Sequence, residues 1–254
     1  MILKAEGIVL RASDYGESNK IITLYTKEYG KIGLMARGAK KPKNPLASVT
    51  HVLFYGLCLF KKGRGLGMLY QAETLHALTA IQSDIEKMGY SALIVELADR
   101  LLPEGQRSEA VYQLLQNCLL YMEKGVDAAV LAAIFAMKMM VFAGIEPQLT
   151  HCVSCGRQTQ LSAFSVSSGG VLCSSCAFRD PHAVSITPTV ARLLLLFKQI
   201  PLERIGKVDL KAGTMHDIQQ IIDMCYEQNA GIKLRARRFL DQMHRFQNPQ
   251  KRTY

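Results

Sequence analysis

The amino-acid sequence predicts an α+β multidomain protein: a small N-terminal β-barrel, then an α-helical domain into which a four-cysteine segment is inserted. Three observations carry that prediction. The first 80 residues break into short runs of β-branched and aromatic residues bounded by Gly, Pro, Asn or Asp. From about Ser83 the apolar period lengthens to that of helices. Two Cys-x-x-Cys pairs then interrupt the helical pattern at 152–176. The expected domains are a barrel over 1–80, a helical domain over 81–150 and 181–254, and an insertion over 151–180.

The candidate strands are Ala5–Arg11, Lys20–Thr26, Gly30–Gly38, Thr50–Phe60 and Leu66–Gln71. Five strands of this length fit a small closed barrel, and the OB-fold is one such solution. Within Lys31–Gly38 the alternation is clean. Ile32, Leu34 and Ala36 face one way; Lys31, Gly33, Met35 and Arg37 face the other. Gly33, lying between the two cations, is expected to leave room for another backbone to approach.

Tyr90, Leu93, Ile94, Leu97 and Leu101 form the first helical stripe, and Val111, Leu114, Leu115, Cys118, Leu119 and Met122 the second. Asp127–Ala143 is apolar nearly all round and stops at Gly144, so it predicts the central helix of a bundle. Thr187–Pro188 supplies an N-cap and first-turn proline, and Thr214 predicts a second cap. The last helix is expected over Gly231–Gln247, with Ile232, Ala236, Phe239, Met243 and Phe246 on its apolar face.

The chain has 31 Lys/Arg against 21 Asp/Glu. Residues 1–80 hold twelve bases against five acids, and 232–254 seven against one, while 81–231 is mildly acidic. Such charge attracts polyanions. The N-terminus lacks the apolar block of a signal peptide, and Ala128–Gly144 is too short for a membrane span. With seven cysteines, an odd number, the expected setting is a reducing cytoplasm rather than a secreted disulfide framework. No P-loop, GxSxG or HExxH motif is present, so no catalytic site is expected.

Cys152-x-x-Cys155 and Cys173-x-x-Cys176 have the spacing of a four-cysteine zinc site, with Gly156 where the first turn needs flexibility. Four thiolates leave no open position, so the Zn²⁺ they predict is structural. Redox dithiols and four unligated thiols remain competing readings of the same residues. His151 is read as a surface histidine, and Cys58, Cys118 and Cys225 as core.

Basic residues cluster in two loops. Lys40, Lys41 and Lys43 lie in a proline-bounded loop, and Lys61, Lys62 and Arg64 in a glycine-rich one. With Lys31 and Arg37 they make eight candidate phosphate contacts on one barrel. Among Tyr15, Tyr25, Tyr29, Tyr55 and Tyr70, most are read as core or rim and one or two as platforms for unpaired bases. Arg235, Arg238 and Arg245 lie along one stripe of the last helix and are candidate auxiliary DNA or acidic-partner contacts.

The segments AEGIVLRASDYGESNKIITLYTKEYGKIGLMARGAKKPKN, LIVELADRLLPEG, FAGIEPQLTHCVSCG and FSVSSGGVLCSSC resemble the bacterial RecO recombination mediators across essentially the whole chain. Asn19 stands where many members carry an acid, a change not expected to affect binding. The resemblance implies an OB-fold, a helical domain and an inserted zinc ribbon. It further implies binding of single-stranded and duplex DNA, annealing of complementary strands, and help to RecA on DNA coated with single-strand-binding protein. Implied partners are RecR and the C-terminal tail of single-strand-binding protein, in the cytoplasm at the nucleoid, with no membrane. Rival readings are a zinc-ribbon nucleic-acid-binding regulator and a thiol-exchange enzyme.

Overall fold

The computed structural model describes residues 1–205, 208 and 210–247. Five strands, β1 (Ile2–Tyr15), β2 (Asn19–Thr26), β3 (Gly30–Ala36), β4 (Tyr55–Lys61) and β5 (Gly67–His76), close into a barrel in the order β1-β2-β3-β5-β4. Every neighbouring pair is antiparallel except β3 and β5. The inward positions of the alternating strands meet as one core that includes Val9, Ile22, Leu24, Leu34, Cys58, Phe60 and Leu69. Each large apolar side chain so buried contributes about 1.5–3 kcal/mol. The fourth strand is shorter than its expected Thr50–Phe60, since regular pairing begins only at Tyr55. The segment ahead of it is a plug: a 3₁₀ turn at Ala47–Val49 is held by the Thr50 hydroxyl donating to the Leu46 carbonyl at 2.7 Å, and Val49 and Phe54 enter the core.

Contacts divide the chain into two compact units, 1–128 with 234–254, and 129–233. The first holds the barrel with α1 (Thr79–Gln82), α2 (Ile85–Leu101), α3 (Glu109–Glu123) and α7 (Arg235–Gln247). Helix starts are marked by acceptors. The Asp84 carboxylate accepts from the amides of Glu86 and Lys87, the Ser108 hydroxyl from that of Val111, and the Glu123 carboxylate from those of Ala80 and Ile81. The last helix begins at Arg235 rather than Gly231, because the Glu96 carboxylate of α2 accepts from the Arg235 and Ala236 amides. Its buried positions are Ala236, Leu240 and Met243, whereas Phe239 and Phe246 are exposed.

The second unit holds nearly all of α4 (Ala128–Ala143), a small sheet in the order β7-β6-β8, α5 (Pro188–Gln199) and α6 (Ala212–Met224). The sheet strands are β6 (Leu161–Ser165), β7 (Gly170–Cys173) and β8 (Val184–Ser185). α4 is buried along most of its length, as its all-round apolarity predicts. The Thr187 hydroxyl caps α5 with Pro188 in its first turn. Thr214 is not a cap: the cap position is Lys211, three residues earlier, and it makes no side-chain bond. Among the described residues no helix is long and apolar enough to cross a membrane.

Candidate nucleic-acid interface and metal centre

The barrel's outer face divides into a covered and an open part, and strand register places each residue in one of them. One transverse row runs Tyr55–Ile8–Tyr25–Lys31 across β4, β1, β2 and β3. Helices of the same unit cover this row. The Tyr25 hydroxyl donates to the Ser108 carbonyl, and its ring lies 6.1 Å from that of Tyr112 on α3. The Glu6 carboxylate, also outward, accepts from the hydroxyls of Tyr55 and Tyr112 and from the Gln116 amide. Burial, then Glu6, pushes the Tyr55 phenol up to about 12.

Lys31 belongs to that covered row. It shares the outer face with Arg37, as the alternation predicts, but its side chain is only 11% exposed. Its ammonium donates to the Asp99 backbone carbonyl at 2.5 Å and lies 3.7 Å from the Asp99 carboxylate, which also pairs with Arg11 at 3.2 Å. Lys31 is thus a strut between β3 and α2.

A second row runs Ser13–Ile21–Met35–Met68–Lys61 across all five strands. Its three apolar members are half-buried, and Ser13 and Lys61 are exposed. Arg37 follows β3 at this end and is exposed. Beside Gly33 lies the half-exposed Leu66: a Cβ at the glycine would sit 3.2 Å from the Leu66 side chain. Lys61 ends β4, and the β4–β5 loop with Lys62 and Arg64 lies against β3 at Leu66, just before Gly67 pairs with Leu34.

The Lys40–Lys43 loop is also pinned. The Asn19 side chain accepts from the Gly38 amide at 2.9 Å, Lys40 N–H donates to the Ser18 carbonyl at 3.0 Å, and the Asn44 side-chain amide donates to the Arg37 carbonyl at 3.1 Å. Asn19 acts through one accepting oxygen, which an acid would equally supply. Lys40 pairs with Asp14 at 2.9 Å, and that bond holds the Asp14 carboxyl below the usual range. Among the described residues Arg37, Lys41, Lys43, Lys61, Lys62 and Arg64 are exposed and make no ion pair. Of the five tyrosines, Tyr25 and Tyr55 are buried, Tyr29 packs edge-on against Phe60, and only Tyr15 and Tyr70 are exposed.

On α7, Arg235, Arg238 and Arg245 are all exposed. Arg235 lines a groove of about 990 Å³ with Arg11, Val52, Met88, Arg100 and Phe239. Of the seven bases counted in 232–254, Lys251 and Arg252 lie outside the described residues.

The four cysteines converge. The Sγ atoms of Cys152, Cys155, Cys173 and Cys176 all lie within 4.8 Å of one another, with Cys155–Cys173 at 3.7 Å. A tetrahedron with metal–sulfur bonds of about 2.3 Å has edges of about 3.8 Å, so the donor set fits a thiophilic ion. Gly156 takes φ +77°, the left-handed turn that its place after the first pair predicts. The Arg157 and Arg179 guanidiniums donate to the hydroxyls of Ser175 and Ser154, tying the two knuckles together rather than forming a cationic surface.

Burial raises the Cys152 thiol, but the amides of Cys173, Ser154 and Cys155 outweigh it and bring it down to about 6. Ser154 draws Cys176 down, yet burial and the neighbouring sulfurs push it up to about 11. Cys152, Cys173 and Cys176 are buried and Cys155 is exposed. Cys58, Cys118 and Cys225 are buried, and burial alone lifts Cys58 and Cys225 to about 12.

Residues 1–78 match the family model described as recombination protein O N terminal, and residues 82–238 match recombination protein O C terminal. Among curated relatives, the DNA repair protein RecO of Halalkalibacterium halodurans is 44% identical over 243 residues, 96% of each chain. That of Bacillus subtilis is 43% identical over 96% of this chain and 95% of its own. That of Bacillus mycoides is 40% identical over 97% of this chain and all of its own.

Proposed function

The chain belongs to the recombination protein O family, whose role lies in DNA repair and recombination, and on that premise we propose that its barrel binds single-stranded and duplex DNA and anneals complementary strands without nucleotide hydrolysis. The observation that carries this reading is the set of six exposed cations that make no ion pair among the described residues, Arg37, Lys41, Lys43, Lys61, Lys62 and Arg64, on strand ends and loops at the open part of the outer face. Two strands repel each other through their phosphates. A surface that neutralises several phosphates on each lowers that repulsion and holds the strands close enough to pair. Lys40, half committed to Asp14, adds to the set if DNA displaces the carboxylate.

The mediator role follows in the same reading: loading RecA onto strands covered by single-strand-binding protein, in concert with RecR. The groove of α2 and α7 is the seat we propose for the acidic tail of single-strand-binding protein; Glu96 and Asp99 also line it, paired with Arg100 and Arg11, and leave Arg235 for the tail. Phe239 and Met88 supply its apolar wall, and Arg235 its cation, with Arg238 exposed on the same helix. Zn²⁺ at the four cysteines would act structurally, joining two loops that have little apolar core of their own.

The test is a salt series of binding to labelled single-stranded and duplex oligonucleotides, followed by an annealing time course with no nucleotide present. Binding to both, weakening linearly in log salt, and annealing faster than the strands alone are expected. A purified protein that ignores both oligonucleotides in dilute buffer would overturn the reading.

A further inference from the structure

We propose that Tyr70 is a stacking platform for an unpaired base, and that it biases the open barrel face toward single strands. The inference rests on the DNA-binding reading above and adds a contact that phosphate attraction cannot make. Phosphate neutralisation by itself favours duplex, which carries the denser charge. A preference for single strands needs a contact to something a duplex hides, and the faces of the bases are hidden there by their own stacking.

Tyr70 is 49% exposed although it sits within a barrel strand. The register gives the cause. Phe60 pairs with Leu69 and Leu59 pairs with Gln71, so Tyr70 has no partner on β4. An extra residue of this kind is a β-bulge, which bends the strand and re-aims side chains. Here it turns both Tyr70 and Gln71 outward between the core-facing Leu69 and Ala72, where alternation would allow only one.

The surroundings suit a base flanked by phosphate. Met68 precedes Tyr70 on the outer face, and Met35 lies beside Met68 on β3. The β3–β5 pairing ends at Ala36 and Leu69, so the exposed Arg37 and Tyr70 each follow directly on the last paired residue of neighbouring strands. An exposed aromatic ring on a face that carries polarizable thioethers and cations suits unpaired bases without reading their identity.

The bulge alone is not the argument. A second irregularity, where Tyr55 pairs with His76 and Gly56 with Thr74, leaves Leu75 unpartnered and 45% exposed. Leu75 lies roughly 17 Å farther along the strand, between Thr74 and His76, where β5 pairs with the start of β4 rather than with β3. It is the built-in control.

The sequence contains no tryptophan, so Tyr70→Trp places a single indole at the site. Its fluorescence is expected to change on adding oligothymidylate and to stay constant with an abasic phosphodiester of equal length. Tyr70→Ala is expected to lose about 5- to 150-fold in affinity for oligothymidylate, the range for one stacked base. Its salt slope and its affinity for duplex and for the abasic strand are expected to stay unchanged. Tyr70→Phe and Leu75→Ala should bind as the unaltered protein does, with circular dichroism confirming the fold of each variant. Equal binding of oligothymidylate by Tyr70→Ala and the unaltered protein, or an equal loss on the abasic strand, would overturn the platform while leaving DNA binding standing. Failure of the unaltered protein to bind any strand would instead remove the DNA-binding reading itself, and the platform with it.

Discussion

Neutralising Lys31 and neutralising the exposed set should have opposite signatures, because one cation braces the fold and the others face solvent. If all six unpaired cations engage phosphates of a single strand, each contributes about 0.7 to the salt slope, giving a slope near −4. Affinity would then fall roughly 250-fold between 50 and 200 mM salt. Replacing Lys61, Lys62 and Arg64 together with Gln should reduce the slope by about 2 and weaken binding similarly for every sequence. Lys31→Gln removes an ammonium bonded to the Asp99 carbonyl and close to its carboxylate, in a side chain that is 11% exposed. Hydrogen bonds to charged groups are worth about 1.5–3 kcal/mol, so that variant should lose stability on this order and keep its DNA slope. Fluorescence anisotropy across a salt series reads the first quantity, and urea denaturation reads the second. A Lys31→Gln variant with a slope reduced like that of Arg37→Gln, or a triple variant with an unchanged slope, would refute the division of the outer face.

Three further outcomes are expected. Elemental analysis should find one zinc per chain, and Cys152→Ser should lose the metal and lower the thermal midpoint; stoichiometric zinc retained in that variant would reject the ligand set. Glu6→Ala strips the acceptor shared by Tyr55, Tyr112 and Gln116, so urea denaturation should show a loss of about 2–4 kcal/mol, whereas a loss below 0.5 kcal/mol would show that these donors find other partners. Burial works to raise the Glu123 carboxyl, but the Ala80 and Ile81 amides and the Thr79 hydroxyl bond it and leave it below the usual glutamate range. Its contribution is therefore complete above the unfolded value and is lost as pH falls through the lowered one. Glu123→Gln should accordingly flatten part of the acid limb of the stability profile and leave a smaller difference from the unaltered protein at low pH than at neutral pH.

What could be read in advance follows the range of the interaction. The cysteine site was legible because two short covalent spacings confine each thiolate pair, and Gly156 marks the turn. The alternation of β3 put Lys31 and Arg37 on one face for the same local reason. Which end of that face is open depends on Asp99, Ser108 and Tyr112, some 70 to 90 residues further along, and nothing in the strand itself reports them. The start of α7 has the same origin, since its cap is Glu96 on another helix. The bulge did leave a trace: Tyr70 and Gln71 stand side by side where alternation calls for one inward residue.

The notch at Gly33 shows how the fold converts flexible basic loops into a usable surface. A glycine-rich loop with three cations would ordinarily sample many conformations, and binding would have to order it at a cost of about 0.5–1.5 kcal/mol for each immobilised side chain. Leu66 over Gly33 and the backbone bonds around Gly38 and Lys40 restrict both loops before any ligand arrives. The exposed lysine and arginine tips can follow a phosphate chain of any sequence, while these contacts hold the backbones that carry them. That combination suits a protein that must hold many different strands. A rigid array of cations would favour one backbone geometry, and two floppy loops would lose much of their attraction to ordering entropy.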